Sequence, residues 1–258
     1  MRNIIFILSH YDDEFGLFNV IESFCKNNDK VFIIYLTNGL TIESAKNKKK
    51  MQRRENESIR ILLKLGVKKN NILFLGKKLK IPVYYLHKNL NLVYFHINEF
   101  LKKFRGLTYL YTHAWEGGNE DHDSSFVIAK KILINNKKLK KAYQFAQYNR
   151  HNVVFYPFNI QTFIRSKSKI FKVQYSLLSK IKYITYLFNY TSQFYLWFPI
   201  YPFIIFKILF NRYGNVRLIS RSITLSRPHS GILLYEKFRQ NKYRDLKILF
   251  SNFLKKSK

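Results

Sequence analysis

The chain has 258 residues, a formal net charge of +31, and 47% hydrophobic and 17% aromatic residues. This length and apolar content predict a folded α/β protein with a substantial core, and they exclude a disordered tail. A single cysteine, Cys25, excludes a disulfide framework. No secretory signal is evident, because the first apolar run, residues 3–8, is short, so a cytoplasmic protein is expected.

The first predicted element is an apolar strand, Ile4 to Leu8, that ends in His10, Asp12 and Asp13. Apolar residues on both faces are typical of a parallel α/β sheet, in which ligands bind beyond the carboxyl ends of the strands. An imidazole and a carboxylate suit a transition metal such as zinc, and a second carboxylate could deprotonate a bound water. The alternative is that both aspartates cap the following helix, and this segment alone favours neither interpretation.

Strand-like and helical patterns alternate through the first 150 residues, which predicts a Rossmann-like parallel sheet flanked by helices. From His151 onward the pattern is less regular, and we expect a C-terminal extension that belongs to one domain, 1–258, with residues 1–150 as the core and 151–258 as the C-terminal part. The predicted strands are Ile4–Leu8, Val31–Thr37, Ile72–Leu75, Tyr109–Thr112 and Tyr143–Gln147. The predicted helices lie near Phe15–Lys26, Asn47–Leu65, Leu90–Phe104 and Ser124–Asn135.

A second cluster of acids and histidines follows the predicted strand at residues 108–113. If this strand and the first are neighbours in a parallel sheet, both loops open on the same edge, and His122 could complete a metal site with His10 and Asp13. Taken alone, His122 is better explained as an ordinary loop or cap residue. Together, the two clusters favour the metal site.

These segments resemble the PIG-L/LmbE-like family of zinc-dependent N-acetylglucosaminyl deacetylases. The family motif H-P-D-D-E stands here as His10-Tyr11-Asp12-Asp13-Glu14, and the later motif E-G-G-H-P-D-H-D stands as residues 116–123, EGGNEDHD. Further fragments occur in the family's order between Asn3 and about Phe238: Thr37-Asn38-Gly39, Arg54-x-x-Glu57, Leu65-Gly66-Val67, Tyr190-Thr191-Ser192-Gln193, and Arg227-Pro228-His229. Each fragment is weak alone, but their shared order makes the resemblance fairly specific.

The resemblance implies that His10, Asp13 and His122 bind Zn²⁺, that Asp12 is the general base, and that Arg54 lies near the substrate. The implied activity is hydrolysis of the amide of an N-acetylated sugar in glycan or glycolipid biosynthesis. Zinc lowers the pKa of its water and polarises a carbonyl, while a carboxylate accepts the water's proton. Without the resemblance, Arg54 and Glu57, three residues apart on a predicted helix, are better explained as a surface ion pair.

Two positions depart from the family motifs. Tyr11 replaces a proline, which removes no ligand, and Asn119 replaces a histidine that is thought to stabilise the transition state or to act as an acid. Asparagine can donate a hydrogen bond but cannot carry a proton or a positive charge. His113, His229 or Tyr111 could supply the missing group, and the two histidines are catalytic candidates beside Asn119. An active deacetylase is favoured over an inactive relative that binds a sugar or an anion.

The positive charge raises the alternative of nucleic-acid binding, but the basic clusters are spread along the chain and no nucleic-acid motif accompanies them. Specific nucleic-acid recognition is therefore not expected, and enrichment in lysine and asparagine explains much of the charge. A phosphate-bearing substrate or an anionic membrane suits the charge better. The clusters are Lys46–Arg54, Lys77–Lys80, Lys137–Lys141 and Lys255–Lys258.

The segment from Phe194 to Phe206 is strongly apolar, within an uncharged stretch that begins at Tyr183. Two prolines, Pro199 and Pro202, make it a poor transmembrane helix, and burial in the core is the preferred explanation. The alternative is an interfacial element that contacts anionic lipid, helped by Lys180, Lys182, Lys207 and Arg212. A small-molecule or lipid-linked amino sugar is then the expected partner, and the location is cytoplasmic or peripheral at the inner face of the membrane.

Overall fold

The computed structural model describes residues 1–44, 46–136, 139–153, 158–164, 168–211, 213–222, 224–239 and 241–255. Arg212 and parts of the basic clusters at 137–141 and 255–258 therefore lie outside the described residues. The strands are β1 (Asn3–Leu8), β2 (Lys30–Tyr35), β3 (Ile72–Phe74), β4 (Thr108–His113), β5 (Leu139–Phe145), β6 (Tyr148–Asn149), β7 (Asn159–Ile160), β8 (Ile170–Gln174) and β9 (Tyr213–Leu218).

The helices alternate with the strands in the first half of the chain and dominate the second half. They are α1 (Phe18–Lys26), α2 (Lys48–Lys64), α3 (Leu75–Lys78), α4 (Leu90–Lys102), α5 (Glu120–Asn135), α6 (Leu177–Leu187), α7 (Phe194–Trp197), α8 (Tyr201–Phe210), α9 (Leu234–Phe238) and α10 (Tyr243–Lys255). Short 3₁₀ turns include Asp13–Leu17 after β1, and Thr191–Gln193 and Phe198–Ile200 on either side of α7.

One sheet of seven strands, in the order β3-β2-β1-β4-β5-β9-β8, forms the centre of the fold. The five strands from β3 to β5 are parallel, as the alternating pattern predicts, and this confirms the Rossmann-like α/β class. β9 and β8 extend the sheet in the antiparallel direction. Because β2 and β4 both flank β1, the strand order reverses at β1, which is where α/β sheets bind ligands.

Both faces of β1 are covered, which explains its unbroken apolar sequence. Ile4, Phe6 and Leu8 point into one core layer, shared with α1, α2 and the segment 183–208. Ile5 and Ile7 point into the other layer, shared with α4, α5 and α10. The C-terminal part thus contributes to both layers, while the division into a core at 1–150 and a C-terminal part at 151–258 stays a prediction.

The boundaries differ from the predicted ones at two places that matter for the site. The fifth strand is Leu139–Phe145 rather than Tyr143–Gln147, because two consecutive exposed lysines follow the buried Leu139 and interrupt the apolar pattern on which the prediction depended. Helix α5 begins at Glu120 rather than at Ser124, since the polar residues 120–123 form its first turn. The second acid and histidine cluster is therefore helical, and its side chains are fixed by that turn.

The apolar segment 191–210 is attached to the domain by one face only, so the preferred expectation of burial is wrong for the other face. By length and composition, Thr191–Phe210 could cross a membrane, and 28% of its apolar window is buried. Trp197, Tyr201, Ile204 and Ile208 pack into the core, whereas the residues between them face outward.

Candidate metal centre and active site

The two clusters predicted from the sequence meet at one edge of the sheet. β1 and β4 are adjacent and parallel, with Ile7 opposite Thr112, so the residues that follow both strands emerge side by side. His10, Asp12 and Asp13 follow β1, and His113 is the last residue of β4. α5 begins just beyond β4 and carries His122 in its first turn.

His10, Asp13 and His122 form a buried group whose ligand atoms all lie within 4.8 Å of one another. His122 Nε2 is 3.2 Å from Asp13 Oδ1, and His10 Nδ1 is 3.7 Å from Asp13 Oδ2. Ligands about 2.0–2.1 Å from a tetrahedral zinc ion are separated from one another by about 3.3 Å. The separation of His122 and Asp13 is therefore close to that of two ligands in a tetrahedral site, and all three side chains are near enough to share one metal ion.

The state of His122 supports the same interpretation. The side chain is buried, its Nδ1 has no hydrogen-bond partner in the described structure, and its Nε2 lies 3.2 Å from Asp13 Oδ1 without the geometry of a hydrogen bond, which is unusual for a buried polar group. Burial, followed by the nearby His113, lowers the pKa of His122 to about 3, so the ring is neutral at physiological pH. A neutral imidazole with a free lone pair is what a metal ligand must offer.

His10 is oriented by Asp121, a residue that the sequence prediction did not single out. His10 Nε2 lies 2.9 Å from Asp121 Oδ2, and Asp121 also accepts hydrogen bonds from the backbone N–H groups of Tyr84 and Leu86. A carboxylate behind a ligating histidine fixes the ring and leaves its other nitrogen, Nδ1, for the metal. The position of Asp121, immediately before the predicted ligand His122, was the available signal.

His113 supports the ligands from behind. Its ring is fully buried and stacks on that of His122, with 3.8 Å between centroids and 5° between planes. Its Nε2 lies 3.0 Å from Asp13 Oδ2. Burial alone would raise the pKa of Asp13, but His113, His122 and His10 together hold it well below its usual range. The geometry favours a positioning role for His113, and its predicted catalytic role stays untested.

Asp12 lies beside the triad and keeps a carboxylate that is free to accept a proton. It precedes the 3₁₀ turn Asp13–Leu17 without making a side-chain capping hydrogen bond, so the capping alternative is wrong for this residue. Burial raises the pKa of Asp12, although Arg54, whose Nη2 is 3.5 Å from Asp12 Oδ2, opposes that shift. A raised pKa brings a carboxylate closer to the range in which a general base is effective.

Arg54 lies next to Asp12 and does not pair with Glu57, while its predicted contact with substrate stays a prediction. Its guanidinium donates a hydrogen bond to the carbonyl oxygen of Gly39. It also donates to the side-chain oxygen of Gln193 when that amide is oriented with its oxygen toward Arg54. Glu57 is buried and accepts hydrogen bonds from the side chains of Thr191 and Ser192. The surface ion-pair alternative is therefore wrong, and these two residues of α2 instead anchor the segment 191–193 beside Asp12.

Asn119 is the N-cap of α5. Its side-chain oxygen accepts a hydrogen bond of 2.8 Å from the backbone N–H of Asp121, and its amide donates to the Tyr148 hydroxyl at 3.2 Å. The ring of Tyr148 lies 5.2 Å from that of His122. Asn119 thus fixes the start of the helix that carries His122, and its catalytic role stays a prediction.

The capping role of Asn119 can be tested by measuring the stability of protein variants. Replacing Asn119 with Ala removes the acceptor for the Asp121 N–H, and we expect the free energy of unfolding to fall by ~1 kcal/mol. Replacing it with Ser, which retains a capping oxygen, is expected to recover most of that loss. Urea denaturation of the three proteins measures the difference, and equal stability of the Ala and Ser variants would contradict the assignment.

The remaining predicted residue, His229, lies in a loop that packs on the site. Leu234 donates its backbone N–H to the carbonyl oxygen of Gly117, which ties the loop to the residues before α5. In the described structure, the ring contact of His229 is with His151, 5.7 Å away, and both its ring nitrogens lack partners. The structure therefore does not join His229 to the triad, and its catalytic role stays a prediction.

Glu14, the last residue of the first motif, is a buried acid with two phenol donors. The hydroxyls of Tyr35 and Tyr190 donate to its carboxyl oxygens at 2.7 and 2.8 Å. Burial outweighs these hydrogen bonds and raises the pKa of Glu14 to about 7. This residue therefore links β1, β2 and the start of the segment 190–193 without being a predicted ligand.

The raised pKa of Glu14 predicts a pH-dependent stability. Between about pH 4.5 and 7, the unfolded chain loses this proton while the folded chain keeps it, so its contribution to stability falls as pH rises. We expect the unfolding free energy of the wild type, relative to a Glu14→Gln variant, to fall by roughly 3 kcal/mol from pH 4.5 to pH 8. Urea titrations of both proteins across this pH range, with a metal chelator present, measure the difference. A difference that does not change with pH would contradict the prediction.

The fold and the site together define a Rossmann-like α/β protein whose sheet edge carries a buried cluster that could hold a metal. The family model described as PIG-L, GlcNAc-PI de-N-acetylase, matches residues 5–133, half of the chain. The chain therefore belongs to the PIG-L family, as the resemblance of its motifs predicted. No curated protein matches the sequence.

Solved structures with similar folds include two deacetylases and a hydratase. The deacetylase of teicoplanin biosynthesis, as its bog complex, has a TM-score of 0.61 at 13% identity, with 84% of this chain and 96% of that chain covered. The N,N'-diacetylchitobiose deacetylase of Pyrococcus horikoshii has a TM-score of 0.58 at 18% identity, with 84% and 83% covered. GalB, the 4-carboxy-2-hydroxymuconate hydratase of Pseudomonas putida KT2440, has a TM-score of 0.50 at 15% identity, with 84% and 95% covered. Fold similarity alone therefore does not decide the reaction.

Proposed function

We propose that this protein is a zinc-dependent deacetylase that hydrolyses the acetamide of an N-acetylated amino sugar. The observation that supports it most is the buried group of His10, Asp13 and His122 with the free carboxylate of Asp12 beside it, in a chain of the PIG-L family. Two proteins of similar fold are described as sugar or glycopeptide deacetylases. A location in the cytoplasm or at the inner face of a membrane, and a role in glycan or glycolipid biosynthesis, belong to this proposal.

Each residue of the site has a defined task in this reaction. A zinc ion held by His10, Asp13 and His122 would polarise the acetamide carbonyl and acidify a water molecule. Asp12 accepts the proton of the attacking water and returns it to the amine nitrogen as the carbon–nitrogen bond breaks. Asp121 and His113 hold His10 and Asp13 in place. The products are acetate and the free amino sugar.

Arg54 and Asn119 are the remaining residues near the reacting atoms. Arg54 sits against Asp12 and restrains its pKa, and we propose that it also contacts the substrate. Asn119 can donate only a neutral hydrogen bond where the family usually has histidine, and its amide already donates to Tyr148. This substitution is the specific observation that favours the second candidate, a protein that binds a sugar or an anion without hydrolysing it.

The test is release of acetate from a panel of N-acetylated sugars by the zinc-loaded protein. The panel contains N-acetylglucosamine, N,N'-diacetylchitobiose and a lipid-linked N-acetylglucosamine, and free amine is measured in parallel. We expect equal amounts of acetate and amine from at least one substrate. Zinc-loaded protein that binds a sugar but releases no acetate from any of them would favour the binding protein instead.

A further inference from the structure

The second half of the chain presents a broad apolar surface to solvent. It is formed by α6 and by the segment from Phe194 to Phe210, which pack against each other. We call it the aromatic face, and its most exposed side chains, between 63% and 93% exposed, are Leu177, Leu178, Tyr195, Leu196, Phe198 and Phe210. Soluble monomers rarely leave so many large apolar side chains together in water, so such a surface indicates an interaction site.

The segment that forms most of the aromatic face is packed against the domain and is not one continuous helix that could span a membrane. Segment 194–210 is divided into α7, a 3₁₀ turn with Pro199 and α8. Its inner residues, Trp197, Tyr201 and Ile204, are buried in the core layer that also contains β1. An element with one face fixed to the protein and one apolar face outward has the geometry of an interfacial segment.

Charge around the aromatic face suits an anionic surface. No Asp or Glu occurs between Ser124 and Tyr235, although many Lys and Arg do. Lys180 reaches from α6 to the carbonyl oxygen of Leu209, so its ammonium group lies beside the exposed side chains at the end of α8, and Lys207 on the same helix donates to the hydroxyl of Thr162. Cationic side chains that flank an apolar interfacial element strengthen its attraction to anionic lipid.

A cationic groove adjoins the aromatic face where α2 meets residues 188–191. It has a volume of about 540 Å³, and its lining includes three cations, one carboxylate and a half-exposed ring: Lys49, Arg53, Arg60, Glu57 and Phe188. Arg53 pairs with Glu57, whereas Lys49 and Arg60 have no partner among the described residues. Two unpaired cations beside an apolar rim are suited to a phosphate headgroup whose acyl chains lie against the rim.

The aromatic face begins next to the catalytic site. Gln193, the residue before Phe194, contacts the guanidinium of Arg54, which lies against Asp12. Ser192 and Thr191 are bonded to Glu57 on the same helix as Arg54. A surface that rests on the aromatic face is therefore close to Arg54 and Asp12.

We propose that the aromatic face docks on the surface of an anionic phospholipid bilayer, with a lipid phosphate in the groove of Lys49 and Arg60. Docking places the site at the height of the headgroups, where a lipid-linked amino sugar presents its acetamide. Bilayer binding requires neither zinc nor turnover, so failure of this proposal and failure of the deacetylase proposal are distinguishable.

The experiment is co-sedimentation of the whole protein with phosphatidylcholine vesicles, with and without phosphatidylglycerol. We expect binding to the anionic vesicles that weakens as salt is raised, and at least tenfold weaker binding to the neutral ones. A Tyr195→Ser/Leu196→Ser variant is expected to lose binding about tenfold or more, because both side chains are exposed and their replacement leaves the core intact. Lys49→Glu/Arg60→Glu is expected to lose the preference for anionic lipid.

The matched control is Leu92→Ser/Phe95→Ser on α4, which packs on the opposite side of the sheet and also exposes these apolar side chains. This variant is expected to bind vesicles as the wild type does. Binding that all variants retain, or absence of binding to any vesicle, would overturn the proposal. So would a wild-type dimer in solution that Tyr195→Ser/Leu196→Ser dissociates while vesicle binding is unchanged, since the face would then join two copies of the chain.

Discussion

An Asp12→Asn variant is expected to retain its metal and to lose turnover by about 10²–10⁴-fold, the range that a general base contributes. The substitution keeps the shape of the side chain, but an amide cannot accept the proton of the attacking water. The measurement is the rate of acetate release, with zinc content determined on the same samples. Because Asp12 is not one of the three ligands, loss of activity with zinc retained separates proton transfer from metal binding.

The matched control for this variant is Asp29→Asn, which changes an aspartate that pairs with Arg2 at the N-terminal end of the sheet. It is expected to turn over substrate at the wild-type rate. An Asp12→Asn protein with full activity would eliminate Asp12 as the base. An inactive variant that has also lost its zinc would show instead that Asp12 supports the metal site.

The second large effect is expected from His122→Ala, which removes one of three protein ligands. We expect about one zinc per chain in the wild type, and at least a tenfold weaker affinity in the variant, since a structural or catalytic zinc needs three or more ligands. The ratio of zinc to protein chains, measured after dialysis of both proteins, tests this expectation and requires no substrate. His122 is chosen because its ring is buried, its Nδ1 has no partner among the described residues, and its Nε2 lies 3.2 Å from Asp13 Oδ1.

His96→Ala provides the control, because His96 lies on α4 and is half-buried, away from the triad. It is expected to bind zinc as the wild type does. Equal zinc content in the His122→Ala and wild-type proteins would contradict the assigned ligand set. A wild type that binds little zinc when zinc is supplied would favour the sugar- or anion-binding alternative.

The parallel core of the fold could be predicted from local pattern alone. A strand buried on both faces must be apolar throughout, so β1 and β2 were recognisable, and alternation with helices implied parallel pairing. The antiparallel strands β8 and β9 were not predicted. β8 alternates half-buried and exposed residues at the end of the sheet, so its sequence has little of the apolar signal on which the other predictions depended.

That His10, Asp13 and His122 meet was predictable because motif spacing and sheet topology point to the same three residues, and their role as metal ligands stays a prediction. The supporting contacts were not predictable, since they join residues distant in sequence: His113 stacks on His122 only because β4 and α5 converge, and Glu57 meets Thr191 across more than a hundred residues. Spacing within a helix suggested the wrong partner for Glu57. Long-range side-chain partners depend on packing, which a single sequence does not display.

Helix α5 is buried at every position from Glu120 to Leu133 and reaches the sheet on one side and α10 on the other. Opening such a helix would expose most of one core layer, so its amide protons should exchange with solvent only when the whole protein unfolds. His122 is thus carried on one of the least mobile elements of the chain. In the proposed reaction, any movement that admits substrate and releases product must therefore come from the loops around the site, while His122 stays fixed.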